Sequence, residues 1–240
     1  MIISHKHKFI FIKTKKTAST SIEATLRDIC GKSDRITPLG ELSGLPARQR
    51  KQQNVVSGKF YNHMPAKKIK ALIPVDVWNN YFKFTIERNP FQKVISAYYF
   101  HYNTFKPKDI PLVNNILKGM QTDFPVHGFH ADTLEDHHKY LEAFMWSHLN
   151  RYRCWGRYTV NDEMLVDKVY QFADGLPTMF DDLAIRLNID RSDLIEYRTR
   201  QGFHDNRFTY KDLLDGEDSK FSKRIKNFFK KEIAEYGYEY

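Results

Sequence analysis

The stretch "KFIFIKTKKTASTSIEATL", residues 8–26, constrains the fold more than any other part of the chain. Phe9 to Ile12 form an unbroken run of aromatic and β-branched residues, the pattern of a short strand covered on both faces in a parallel sheet. A basic, hydroxyl-rich loop follows, and then Ile22, Leu26 and Ile29 recur at helical spacing. Thr20 and Glu23 are spaced as a capping box, and Gly31 is placed to end the helix in a left-handed conformation. The order strand, loop, helix returns in "YFKFTIERNPFQKVISAYYF", residues 81–100. There Tyr81 to Ile86 read as a buried strand, Asn89 as an N-cap with Pro90 at the first helical position, and Val94, Ile95 and Tyr98 as an inward face. Two such units predict an α/β protein with a P-loop-like three-layer fold, its central parallel sheet flanked by helices.

The rest of the chain fits around that frame. "NVVSGKF" reads as a third, shorter strand, and "DKVYQFADGLP" holds another around Val169 to Phe172. Met179, Phe180, Leu183 and Leu187 line one helix, and Phe221, Ile225, Phe228, Phe229 and Ile233 line another; both are core stripes. Residues 103–135 have weak periodicity and read as an irregular excursion, and Gly44 to Asn54 as a polar surface loop. With 240 residues and 41% apolar content, residues 1–240 are expected to form a single domain.

Lysine and arginine number 38 against 29 acidic residues, a net charge of +9 that favours an anionic partner. Cys30 and Cys154 are too few and too far apart for a disulfide framework or a zinc site, which points to a reducing compartment. No run of residues is long and apolar enough for a membrane span, and "MIISHKHK" lacks the apolar core of a signal peptide. A cytoplasmic protein is the resulting expectation.

A loop between a strand and a helix N-terminus aims backbone N–H groups and the helix dipole at one spot, so an anion belongs there. The magnesium-nucleotide version of this loop, G-x-x-x-x-G-K-[ST], uses glycines to wrap a triphosphate. Here the glycines are missing and the lysine, Lys16, precedes the hydroxyls of Thr17, Ser19, Thr20 and Ser21. In the second unit Arg88 leaves the strand at its carboxyl edge, where doubly wound sheets bind ligands, and its fork suits a phosphate. Ser96 follows about two helical turns later on the same helix. Taken residue by residue, Arg88 in an ion pair with Glu87 and Ser96 as a small helix-contact residue are open alternatives.

"KKTASTS" after an apolar strand resembles the 5′-phosphosulfate loop of the sulfotransferases, which use 3′-phosphoadenosine 5′-phosphosulfate (PAPS) as donor. Within that superfamily it looks most like the carbohydrate enzymes of the heparan sulfate and uronyl 2-O type, whose loop reads P-K-T-A-S-T-S. Lys15 stands where those enzymes have proline. The resemblance implies that Lys16 contacts the oxygen bridging sulfate and phosphate, and that Thr17, Ala18, Ser19, Thr20 and Ser21 hold the 5′-phosphate. "IERNPFQKVISAYYF" is similar to the family's 3′-phosphate motif, which implies Arg88 and Ser96 as its ligands; Asn89 stands where many members have aspartate. His63 in "KFYNHMPAKKIK" resembles the histidine that serves these enzymes as base.

The remaining histidines do not form a standard ligand pattern: His127, His130, His137 and His138 read as solvated loop residues, and no metal is expected. His101 is left open between the acceptor and the adenine. Arg198 and Arg200 lie where relatives place a loop over the nucleotide, and ordinary surface arginines are the alternative. The resemblance implies a hydroxyl-bearing acceptor, a carbohydrate by class with an anionic glycan among the options, and neither a nucleic-acid partner nor a metal. Two rivals are a nucleotide or small-molecule kinase, weakened by the missing glycines, and a basic nucleic-acid-binding protein, suggested by charge and interleaved aromatics.

Overall fold

A computed structural model describes residues 1–38, 58–104, 132–197 and 207–240. The chain divides into two compact units, Met1–Arg88 with Cys154–Gln201, and Asn89–Arg153 with Gly202–Tyr240. The strands are β1 (Ile2–Ser4), β2 (Phe9–Phe11), β3 (Arg35–Ile36), β4 (Phe82–Glu87), β5 (Thr159–Val160), β6 (Glu163–Met164) and β7 (Lys168–Gln171). The helices are α1 (Ser19–Ile29), α2 (Ala66–Lys70), α3 (Val75–Asn80), α4 (Pro90–Thr104) and α5 (Leu134–His148). They continue with α6 (Trp155–Tyr158), α7 (Leu176–Leu187), α8 (Tyr210–Leu214), α9 (Lys220–Phe228) and α10 (Lys230–Tyr236).

The first unit is an α/β fold whose five-stranded sheet has the order β3, β1, β2, β4, β7. Only its centre is parallel: Phe9 registers with Phe82 and Phe84 with Lys168, whereas β1 runs antiparallel to both β2 and β3. The expected α/β fold with a parallel centre is present, and the antiparallel β1 and β3 at one edge make the sheet as a whole mixed. Strand β1 escaped notice because Ile2 and Ile3 stand in a short polar context, yet both are fully buried.

Alternation along the central strands builds two faces. On one, Phe84 stacks on Phe11 at 5.3 Å and meets Tyr170 edge-on at 5.9 Å. Ile22, Leu26 and Ile29 of α1 and Met179, Phe180 and Leu183 of α7 close over these rings in one cluster. On the other face Lys83 lies against Trp78 of α3, its Nζ 5.6 Å from the ring centroid. Helices therefore flank the sheet on both sides within this unit. A small hairpin, β5 with β6, stands apart from the main sheet.

Two local expectations for α1 fail. Ala18, left-handed at φ 55°, occupies the N-cap with no side-chain cap bond, so Thr20 and Glu23 do not form a capping box. Glu23 is drawn into the core instead. The helix ends on Cys30 in an extended conformation, its N–H bonded to Arg27 O, so Gly31 has no left-handed role.

The second unit is helical, with α4, α5, α8 and α9 sharing a core that includes Phe91, Tyr98, Phe144, Leu213 and Ile225. Asn89 caps α4, its Oδ1 accepting the Phe91 N–H at 3.0 Å, and Val94, Ile95 and Tyr98 are buried as their spacing demanded. The aromatic stripe from Phe221 to Ile233 spans a break at Phe229, which divides α9 from α10. Strand β7 begins and ends one residue earlier than expected, and β4 one later. Gly58 to Phe60 form a bend and coil without strand, while the preceding part of "NVVSGKF" lies outside the described residues. So do residues 44–54 and most of 103–135.

Candidate functional site

The loop between β2 and α1 owes its shape to hydroxyls that bond inward. Thr14 Oγ1 donates to Ile86 O on the neighbouring strand and lies 2.9 Å from Thr17 Oγ1, and Ser19 Oγ donates to Thr14 O. Thr17 and Ser19 are buried by these contacts. Their side chains therefore build the loop, and what the loop offers a ligand is backbone. Lys16 and Ala18 adopt left-handed φ of 61° and 55°, a conformation that costs a non-glycine residue roughly 1–2 kcal/mol. Glycine-like geometry is present without glycine. In that geometry the N–H groups of Thr17, Ala18, Ser19 and Thr20 have no partner among the described residues, and Ser21 N–H bonds back to Ala18 O at 2.9 Å to start α1. Four N–H groups at a helix N-terminus form an anion cradle.

Behind the cradle lies a buried charge cluster. Lys13 Nζ is 2.6 Å and the Met1 ammonium 3.0 Å from the two carboxylate oxygens of Glu23. Burial works against ionisation of Glu23, but the Met1 ammonium, Lys13 and Arg27 outweigh it and hold the carboxyl below its ordinary value. Glu23 thus fixes Lys13 in the core.

His63 takes a left-handed φ of 59°, and its Nδ1 lies 3.2 Å from Lys13 O. A carbonyl oxygen only accepts, so Nδ1 carries the proton and Nε2 bears the lone pair in the neutral ring. Burial, the Lys13 charge, and behind them Arg157 and Lys15 push the imidazole down to about 3, against the bond to Lys13 O. At neutral pH it is an uncharged acceptor at Nε2.

Arg88 follows β4, and its guanidinium lies 4.5 Å from the centroid of the Phe172 ring. Its Nε is buried without a partner among the described residues, and burial alone lowers the group from its ordinary value to about 10. The ion pair with Glu87 is not formed: Glu87 Oε1 accepts the Arg88 backbone N–H at 2.9 Å, and Oε2 accepts Tyr158 OH at 3.2 Å. A dehydrated guanidinium of this kind, still charged at neutral pH, is poised for an anion. Because β2 and β4 are parallel neighbours, the loop and Arg88 leave the sheet at the same carboxyl edge.

Ser96 lies half-buried on α4, in the second unit. His137 is corrected from a solvated loop residue: it is buried, with Tyr98 OH 2.7 Å from its Nδ1. His138 is helical, with Nε2 3.1 Å from Asp212 O. His101 packs in the second unit at 4.5 Å from the His148 ring. His127, His130, Arg198 and Arg200 lie outside the described residues. No group of three or more metal-ligating side chains occurs among the described residues, and no described helix is long and apolar enough to cross a membrane.

Sequence reading missed Cys154, Arg157 and Tyr158, all on or beside α6. Lys15 N–H donates to Cys154 Sγ at 3.3 Å, a bond that proline could not make. The departure from the proline-containing loop therefore has a structural counterpart. Arg157 Nη1 donates to His63 O. Nothing in the local pattern of "RCWGRY" announces these contacts, which span up to 139 residues.

No curated protein and no solved structure matches the chain. A family model described as the sulfotransferase family matches residues 1–239. That match covers nearly the full length, and the chain belongs to the sulfotransferase family, enzymes that transfer a sulfuryl group.

Proposed function

We propose that the chain moves the sulfuryl group of PAPS to a hydroxyl of a carbohydrate acceptor of the 2-O type, in the cytoplasm, with both units acting as one catalytic domain. One observation carries the reading. Two candidate anion sites, the N–H cradle after β2 and the Arg88 guanidinium after β4, have no hydrogen-bonded acid among the described residues and stand at the carboxyl ends of adjacent strands. A donor with phosphate groups at both ends of a nucleoside matches that pair. The cradle from Thr17 to Ser21 takes the 5′-phosphate, and Arg88 takes the 3′-phosphate, to which the family resemblance adds Ser96.

In the reaction Nε2 of His63 removes the acceptor proton as the hydroxyl oxygen bonds to sulfur. The bond from sulfur to the 5′-phosphate oxygen breaks, and its electron pair stays on that oxygen. Lys16 and the loop N–H groups meet the charge that develops there. Negative charge held in the cradle opposes Lys13, Lys15 and Arg157, and so raises His63 toward a useful basicity. Lysine, arginine and backbone donors supply the positive field, and no metal enters the proposal.

Thermal unfolding with nucleotides tests the reading. At 100 times its Kd, 3′,5′-ADP adds about 2.7 kcal/mol, a rise in Tm of roughly 5–10 °C for a chain of this size, without magnesium. Equal stabilisation by magnesium-ATP would overturn the reading in favour of a kinase.

A further inference from the structure

The segment Cys154 to Tyr158 bonds to three separate parts of the candidate site. Cys154 Sγ accepts the Lys15 N–H at 3.3 Å, Arg157 Nη1 donates to His63 O, and Tyr158 OH donates to Glu87 beside Arg88 at 3.2 Å. The segment is itself held firmly. Arg157 N–H bonds to Cys154 O at 2.8 Å, Trp155 Nε1 to Asp162 Oδ1 at 2.8 Å, and Leu165 N–H to Tyr158 O at 2.8 Å. Cys154, Trp155 and Tyr158 are all buried.

His63 needs such support. It is a β-carbon-bearing residue in a left-handed conformation, which persists only where the surroundings enforce it. Its ring is tied to Lys13 O and its own carbonyl to Arg157. These two ties, at opposite ends of one residue, fix the direction of Nε2.

We propose that Arg157 is a positioning residue for His63, holding its carbonyl so that the ring stays docked on Lys13 with Nε2 presented to the acceptor hydroxyl. This role rests on the reading of His63 as the base. The charges that act on the imidazole are those of Lys13 and Lys15 from the loop and of Arg157 from α6. Arg157 thus sets two properties of the base, its direction and its charge state. Its Nε is buried without a partner among the described residues, so the charge is not balanced there by a hydrogen-bonded acid.

The test compares wild type with Arg157→Lys and Arg157→Ala by three measurements. Calorimetry gives the Kd for 3′,5′-ADP; magnetic resonance gives the tautomer and titration of the His63 ring, assigned with His63→Gln; and 3′,5′-ADP release from PAPS with a pool of glycan acceptors gives kcat and KM. Arg157→Lys keeps the charge and loses the fork, so kcat falls by about 10-fold or more while KM and Kd stay within about 2-fold. Arg157→Ala shows the same loss of kcat and also shifts the His63 midpoint upward, since a repelling charge is gone. Unchanged kcat together with an unchanged ring titration in both variants overturns the inference. Failure of wild type to bind 3′,5′-ADP overturns the donor-site reading instead, and the ring tautomer and titration still report whether Arg157 holds His63.

Discussion

Replacing Arg88 with methionine should make the empty protein more stable and its donor site worse. Burial alone lowers the guanidinium from its ordinary value to about 10. The unfolded state therefore holds the proton more tightly than the folded state, and at any pH below about 10 the folded state carries the full penalty. Taken at face value that is about 3 kcal/mol; partial exposure and the Phe172 contact reduce it to about 1–2 kcal/mol. Methionine keeps a sulfur on the Phe172 face and removes the charge. Thermal unfolding without ligand should then show Arg88→Met melting a few degrees above wild type, at about 2–4 °C per kcal/mol. With 3′,5′-ADP added, the order should reverse, because a charge-assisted contact to phosphate is lost and affinity falls by roughly 10-fold or more. A variant that melts below wild type without ligand, or that keeps the wild-type ligand shift, refutes the picture of Arg88 as a dehydrated cation awaiting phosphate.

His63 makes a prediction about pH. Its ring is neutral in the free enzyme above about 3, so kcat/KM for PAPS should stay flat as pH falls from about 8 to about 5; a decline centred near 6.5 would contradict this. Folding stability behaves differently: the folded pKa lies below the unfolded 6.5, so stability is lost as pH falls from 6.5 toward about 3. His63→Gln should flatten that slope in urea titrations. Lys15→Pro removes the N–H that meets Cys154 and should lower stability by about 1 kcal/mol relative to Lys15→Ala, which keeps it; equal melting of the two variants would show that the bond contributes nothing.

What could be read from the sequence was local. The Phe9 to Ile12 and Tyr81 to Ile86 runs declare buried strands because every residue in them is apolar or sheet-prone, save Lys83. Lys83 is accommodated by bonding its Nζ to Trp78 O and Tyr81 O. Asn89–Pro90 declares a helix start by turn chemistry alone, and it is one. Glu23 misled because its capping-box spacing is local, whereas the charges that claim it, Lys13 and the Met1 ammonium, come from two different strands' ends. The loop residues were legible as a candidate anion site, but not the division of labour within it: Thr17 and Ser19 bond inward, and with Lys16 and Ala18 left-handed the N–H groups have no partner among the described residues. Cys154, Arg157 and Tyr158 were silent because their partners are 71 to 139 residues away, and no periodic pattern encodes a contact of that range.

In the proposed reaction, sulfuryl transfer from PAPS runs through Lys16 and His63. Labelled PAPS incubated with defined glycans tests it most directly, using wild type, Lys16→Ala and His63→Ala whose folding is verified by their melting curves. The expected outcome is label on a carbohydrate hydroxyl with wild type, and a loss of at least about 100-fold in kcat for each variant. Unchanged turnover in both variants would contradict it.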